Sequence, residues 1–452
     1  MLVALLAAAC TGPATDPQDA TVLRSLEARA AQGAAEAQAD LGARYLLGDG
    51  VPRDSEEALR WYRMAAEQGY APAQATLGDL YLNGEAVSQD DGEAAHWYRM
   101  AAEQGHAGGQ YGLGYLYGVG QGVALDAAEA ARLMRLAADQ GEVRAQYAMA
   151  LLYENGQDVP RDDAEAARWY RRAAEQGHAR SQAGLAALYL NGRGVDQDTA
   201  EGARWLREAA GQGYVAAQVD LAFLYGVGQG VPRDDAEALR WLRRAADPAH
   251  ASSEANIAAM ARGQYQLALA YANGRGVAAN DAEAVRWLHL AATEGLAEAQ
   301  ADLGFMYLQG RGVPADDAEA VRWIRPAAEQ GHAPAQRYLG LMYRDGRGVS
   351  PAAGEAVRWL HLAADQGDAL AQLDLGVMLS GGAGVPADPV TAHLWLALAA
   401  ARRAGGGGGR GARGRAARRG GGGGPGGGAG GVGPGGGGRA RWGRPRSGTA
   451  CS

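Results

Sequence analysis

Apolar residues in this chain follow a helical period that is interrupted and restarted at regular intervals. Ala37, Leu41 and Tyr45 stand at i, i+4 and i+8, which places them on one helical face. Gly48 and Gly50 then end the helix, because glycine enters the left-handed conformation without steric penalty. After Pro52 a second helix is predicted to open at Asp54 or Ser55, both good N-cap types. It carries Ala58, Trp61, Tyr62 and Ala65 on its apolar side, and Gly69 stops it.

This helix pair repeats. The tyrosine that closes the first helix falls at Tyr45, Tyr81, Tyr117, Tyr153, Tyr189 and Tyr225, a spacing of 36 residues. After a step of 46 it resumes at Tyr271, Tyr307 and Tyr343, and Leu379 takes the tenth place. A loop valine recurs from Val51 to Val385 without a failure. Three residues before each tyrosine stands Gly or Ala, as at Gly42, Gly78, Gly114 and Ala150, where a small side chain lets neighbouring helices approach. Self-similarity at such a period marks stacked repeats, each too short to stand alone. Residues 18–33 read as a capping half repeat, with Leu23, Leu26, Ala30 and Gly33 in register. Residues 247–263 form an insertion after the sixth repeat; Pro248 breaks the preceding helix, and a bend or an extra turn of helix is expected. Pro326 falls inside the second helix of repeat 8 and removes the hydrogen bond to the Arg322 carbonyl, at a cost of about 3 kcal/mol unless the helix kinks.

Nine of the ten tryptophans occupy one slot of the second helix, from Trp61 to Trp395, with Leu133 in that slot in repeat 3. Such a series can be read as a ligand-stacking ladder or as core. Burying an indole removes roughly 150–250 Å² from water, worth about 4–6 kcal/mol before entropy, and every repeat needs the same clamp. The core reading is preferred.

The residues A-Q-x-x-L-G (Ala37 to Gly42), Tyr45, G-x-G-V (Gly48 to Val51) and E-A-x-R-W-Y-R-x-A-A-E-Q-G (Glu57 to Gly69) resemble the Sel-one-like repeat family, a relative of the tetratricopeptide repeats. The resemblance spans about residues 34–401. It implies an all-α, right-handed α-solenoid of about ten stacked helix-turn-helix repeats that holds partner proteins together, in a family with few enzymes. The cysteine-rich bacterial branch of the family is not matched, since Cys10 and Cys451 both lie outside the repeats.

Composition changes the picture mainly at the ends. The 452 residues carry a net charge of −8, and all basic residues are Arg. Residues 402–452 hold 11 Arg and no acid, so the remainder carries 32 Arg against 51 acids, or −19. This Gly/Arg-rich segment is expected to be a disordered tail. Its Arg content also admits an RNA-contacting role, although the aromatic spacing of such tails is missing. In a chain without Lys, the same composition fits a frame-shifted read of G- and C-rich DNA. At the other end, residues 1–17 resemble a bacterial lipoprotein signal, in which Ala7-Ala8-Ala9 precede Cys10 as the lipidated residue. That implies a periplasmic protein delivered to the outer membrane; the alternative is a short apolar helix of a cytoplasmic adaptor.

The body offers little chemistry. Glu57 and Arg60, Glu129 and Arg132, Glu165 and Arg168, and Glu237 and Arg240 form i,i+3 pairs suited to a solvated face. Asp54, Asp90, Asp126, Asp162, Asp198 and Asp234 read as helix caps. His106, His178 and His332 sit between repeats with no metal-ligand spacing, and the G-x-G loops follow no strand as a phosphate cradle must. No catalytic residue, cofactor or metal is assigned. The positions that vary lie on the first helices, after the Gln38 and Gly42 slots. They give Tyr111 and Tyr115, Tyr147 and Leu151, Phe223, Tyr265 and Leu269, Phe305, and Tyr338 with Leu341. These pairs, about one turn apart, form either an aromatic ridge for a partner or packing between repeats. The function expected is a non-catalytic scaffold of the bacterial cell envelope, whose partners are other proteins or peptides, glycan-export components among them. The alternatives are a solenoid-based cell-wall or β-lactam hydrolase and a cytoplasmic adaptor with an RNA-contacting tail.

Overall fold

The computed structural model describes residues 17–157, 159–250, 253–382 and 384–401. Cys10 and the Gly/Arg-rich segment 402–452 lie outside them. Among the described residues there is no strand, and the fold is an α-solenoid of helix pairs. The contacts divide it into two units between Trp205 and Leu206, inside the helix Thr199–Gly211.

The first unit opens with the half repeat, the helix Pro17–Ala31, whose Leu26 and Ala30 are buried with Leu23 beside them. First helices follow at Ala35–Leu47, Ala71–Asn83, Ala107–Val119, Val143–Asn155 and Ala179–Asn191. Second helices alternate with them at Ser55–Glu67, Asp91–Glu103, Ala127–Asp139 and Asp163–Glu175. In the second unit the first helices are Val215–Val227, Glu254–Asn273, Ala297–Gln309, Ala333–Asp345 and Ala369–Gly381. Its second helices are Asp235–Ala245, Asp281–Thr293, Asp317–Glu329, Ala353–Asp365 and residues 389–401. The insertion is used as helix: the first helix of repeat 7 has 20 residues where its counterparts have 13. Pro248 opens a short 3-10 turn after a second helix cut to 11 residues. Pro326 is carried inside a helix of the usual 13 residues.

Local chemistry explains why each element starts and stops where it does. Asp54, Asp90, Asp162, Asp234 and Asp316 each accept two backbone N–H bonds at a second-helix N-terminus, near 3.0 Å, as does Asp198. Asp126 accepts one, from Glu129. The backbone N–H of Asp54 also donates to the Tyr45 carbonyl at 2.9 Å, folding the loop back on the first helix, and the same bond recurs from Asp90 to Tyr81 and onward. The second glycine of the loop has a separate reason. Gly122, Gly194, Gly276, Gly312 and Gly348 lie against backbone of the preceding second helix, where a Cβ would overlap the carbonyl of Asp91, Asp163, Asp235, Asp281 or Asp317. Repeat 2 departs from this rule, holding Ala86 at φ +63° in place of glycine.

The tryptophan slot is core. Trp169, Trp205, Trp359 and Trp395 are buried, Leu133 is buried in the same place, and the remaining five are half-buried. Arginines next in sequence cover the exposed indole edges, from 4.2 Å for Arg204 over Trp205 to 6.0 Å for Arg322 over Trp323. The expected surface pairs form, among them Arg60 to Glu57 at 2.7 Å and Arg132 to Glu129 at 2.6 Å.

A buried glutamine ladder accounts for the A-Q and E-Q-G motifs together. Gln38 donates its amide to the Ala30 carbonyl at 3.1 Å and accepts from Gln68 at 2.6 Å. One glutamine therefore ties the end of one second helix to the end of the next. Gln74 with Gln104, Gln146 with Gln176, Gln300 with Gln330 and Gln336 with Gln366 repeat the arrangement at 2.7–2.8 Å. The donor fails in three places. Pro248, Glu294 and Arg402 stand 30 residues after Gln218, Gln264 and Gln372, where the other repeats have glutamine. The side-chain oxygens of those three glutamines are buried with no partner.

Candidate partner-binding surface

Consecutive first helices share a face turned away from the second helices, and here the repeats stop resembling one another. In repeats 2 to 4 this face is closed by its own side chains. Tyr98 rises from a second helix between Gly78 and Gly112, where any larger residue would strike its ring. Its hydroxyl donates to Asp79 Oδ1 at 2.7 Å. Burial pushes the Asp79 carboxyl above its usual range, against the pull of Arg144 and the Tyr98 bond. The Arg144 guanidinium lies 4.7 Å over the Tyr111 ring, 2.8 Å from Glu142 and 3.9 Å from Asp79. In repeats 4 and 5, Tyr170 donates to Glu154 at 2.7 Å and Arg193 pairs with the same carboxylate at 3.2 Å. The Tyr147 ring rests 6.1 Å from Tyr170 and 5.0 Å from His178.

The second unit leaves more of this face open. Phe223 is 55% exposed, whereas Tyr115 in the same slot of repeat 3 is 6% exposed. Asp220, one turn before Phe223, makes no ion pair among the described residues. Water reaches it, yet the protein around it is a poor solvent for charge, and desolvation pushes its pKa to about 6. Tyr265 donates its hydroxyl to Asp302 Oδ2 at 2.9 Å, and burial raises the Asp302 carboxyl as well. Phe305 meets Tyr338 at 4.5 Å between ring centroids, and Arg337 covers the Tyr338 ring at 4.4 Å. Arg337 also lies 3.6 Å from Asp374 and 3.9 Å from Asp368.

The aromatic residues singled out by sequence thus separate into kinds. Tyr115 is buried; Tyr111, Tyr147, Tyr265, Phe305 and Tyr338 are half-buried; Phe223 is exposed. Leu151, Leu269 and Leu341 are half-buried beside them. What the sequence reading passed over is the charge set among them, namely Asp79, Arg144, Asp220, Asp302, Arg337 and Asp374. They stand at neighbouring variable positions, so the signal that found the aromatics was available for them too. Two of the interrepeat histidines act as caps: His106 Nδ1 accepts from the Gly109 N–H and His332 Nδ1 from the Ala335 N–H, each at 3.3 Å, while His178 Nδ1 meets the Ser181 hydroxyl at 2.8 Å. Among the described residues no group of His, Cys, Asp and Glu is placed to hold a metal ion, and no helix is long and apolar enough to cross a membrane.

The Sel1 repeat family model matches ten consecutive segments, from residues 35–70 to 369–402. A protective antigen of uropathogenic Escherichia coli with an SLR fold is 35% identical to the chain, covering 83% of it and 86% of that protein, with a TM-score of 0.48. A Sel1 repeat protein from Oxalobacter formigenes is 28% identical over 56% of this chain and 96% of its own, also with a TM-score of 0.48. An immunity protein of Pseudomonas aeruginosa is 20% identical over 51% of this chain and 77% of its own, with a TM-score of 0.31. No curated protein matches. The chain belongs to the Sel1 repeat family, whose members are generally non-catalytic scaffolds that bind other proteins.

Proposed function

We propose that the chain is an interaction scaffold of the bacterial cell envelope, binding a partner protein or peptide along the face of its first helices. The observation that carries this reading is where variation falls. Second helices reproduce the same Trp, Arg and Ala positions in repeat after repeat, while the first-helix face changes in aromatic content and charge. Packing alone asks for no such change. The contact residues proposed are Tyr111, Tyr147, Phe223, Tyr265, Phe305 and Tyr338, with Tyr115 supporting the helix beneath them. The envelope assignment rests on Ala7-Ala8-Ala9-Cys10, with Cys10 as the lipidated residue; glycan-export components are then natural partners. Cross-linking in intact cells followed by capture of the chain is expected to retain a defined envelope protein, and no specific capture would overturn the scaffold reading. Cys10→Ser is expected to abolish palmitate labelling and release the protein from the membrane fraction. A membrane-bound, unlabelled wild type would overturn the lipid anchor.

A further inference from the structure

Repeats 6 and 8 carry the same four-residue pattern on their first helices, Asp220-Leu221-Ala222-Phe223 and Asp302-Leu303-Gly304-Phe305. The central leucines are fully buried, so each Asp and Phe, three residues apart, lie together on the side turned away from the core. On other first helices several acids are answered from within the fold, Asp79 by Arg144, Glu154 by Arg193 and Asp374 by Arg337, although Asp40 of repeat 1 makes no ion pair among the described residues. Asp220 and Asp302 make no ion pair among the described residues. Tyr265 fixes one oxygen of Asp302 and leaves the other open, which orients the carboxylate without neutralising it. The charged groups nearest these carboxylates act only at longer range, Arg262 on Asp220 and His332 and Glu298 on Asp302. Desolvation disfavours the charged form of both, and at Asp302 it outweighs the Tyr265 bond. A carboxylate beside an aromatic face is the surrounding that an ammonium or guanidinium group seeks, through an ion pair on one side and cation–π attraction on the other.

We infer that the first-helix face of repeats 6 to 8 binds an extended segment of a partner protein through two basic side chains, one seated at Asp220 and Phe223, the other at Asp302 and Phe305. This deepens, and rests on, the scaffold reading. The two seats are two first helices apart. At about 10 Å per helix they lie roughly 20 Å from each other, which an extended chain spans in about six residues. Tyr265 lies on the intervening helix and presents the partner's backbone with a half-buried aromatic surface.

The test is fluorescence anisotropy with the full chain and a labelled Gly/Ser peptide carrying two arginines about six residues apart. A peptide with two glutamines at those positions is the control. The diarginine peptide is expected to bind at least about tenfold more tightly than its control. Asp220→Asn and Asp302→Asn are each expected to remove most of that difference, and the double variant all of it, with unchanged circular dichroism. Equal binding of the two peptides, or a double variant that binds as wild type does, overturns the inference. In cells, a partner captured by wild type and lost by the double variant supports it. A partner captured equally by both leaves the scaffold reading standing and removes this site. No partner captured by either, with peptide binding still dependent on the two aspartates, keeps the site and removes the scaffold reading. The chain's own Arg-rich residues 402–452 are the competing occupant. A benzophenone attached at Phe223→Cys that cross-links to that segment in the isolated protein, instead of to added peptide, overturns the assignment to a partner.

Discussion

Repeats 2 to 4 and repeats 6 to 8 are built on one plan and treat it in opposite ways. In the earlier stretch the glutamine ladder has its donors, Gln104 and Gln140, and the acids Asp79 and Glu154 on the first-helix face are met, the one by Tyr98 and Arg144 and the other by Tyr170 and Arg193. In the later stretch Pro248 and Glu294 stand where donors belong, the oxygens of Gln218 and Gln264 are stranded, and Asp220 has no counter-ion. Phenylalanine is exposed in one and tyrosine buried in the other at the same slot. A stacked repeat can lose such terms locally because its stability is a sum over neighbours, so a weakened stretch is carried by intact ones. The contrast teaches that stability and surface chemistry have been separated along the chain. The side-chain polar groups discussed in repeats 2 to 4 are paired within the fold, whereas in repeats 6 and 7, among the described residues, Asp220 has no ion pair and the Gln218 and Gln264 oxygens have no partner.

The sharpest way to break this contrast is to truncate the shared slot. Tyr115→Ala removes a buried ring and is expected to cost about 3–4 kcal/mol, whereas Phe223→Ala should cost no more than about 0.5 kcal/mol. Urea titration followed by circular dichroism measures both, and equal losses would erase the distinction between core and surface aromatics. Next in size is the ladder. Gln74→Ala removes two hydrogen bonds together, to the Ala66 carbonyl and from the Gln104 amide, for about 2 kcal/mol. Gln218→Ala removes only the bond to the Ala210 carbonyl, since its oxygen had no partner to lose, and should cost about 1 kcal/mol. If Gln218→Ala proved the costlier, the ladder would not be what joins the repeats.

Much of this was legible in the residues themselves. The helix pair, its ends, the aspartate caps and the tryptophan slot follow from periodicity and capping chemistry, because those are local properties of a short segment. The helical use of the insertion was one of two outcomes the residues allowed, and Ala259, Met260 and Ala261 decide it by entering the core. The glutamine ladder was not legible, although its letters were. Gln38 and Gln68 lie 30 residues apart, and only the stacking of one pair on the next shows that their side chains meet. The first-helix face divides similarly. Sequence variation marks the positions, but whether Tyr115 is packed and Phe223 open depends on what the adjacent repeats place over them. Asp79 and Asp220 are the same residue type with different surroundings, and no periodicity distinguishes a carboxylate beside Arg144 from one with no ion pair.

Restoring a missing donor sharpens the comparison from the other side. Glu294→Gln supplies an amide where only a carboxylate stands and lets it donate to the stranded Gln264 oxygen. A gain of about 1 kcal/mol is expected, again by urea titration. The same exchange at Glu103, next to an intact ladder member and already exposed, should change nothing measurable.

The smallest expected effect is the most direct on Asp220. Its folded pKa of about 6 lies above the 3.8 of an unperturbed carboxyl, so between those values the folded chain binds a proton that the unfolded chain has lost. Stability contributed by this group therefore falls as pH rises through that window and stays low above it. Asp220→Asn carries no such proton. The variant should exceed wild type in stability at pH 7.5, by less than about 1 kcal/mol because solvent screens the site, and the difference should vanish near pH 4. Urea titrations at the two pH values read the sign. A variant less stable than wild type at pH 7.5 would mean that the Asp220 charge is answered within the fold, and that repeats 6 to 8 keep no carboxylate in reserve for a partner.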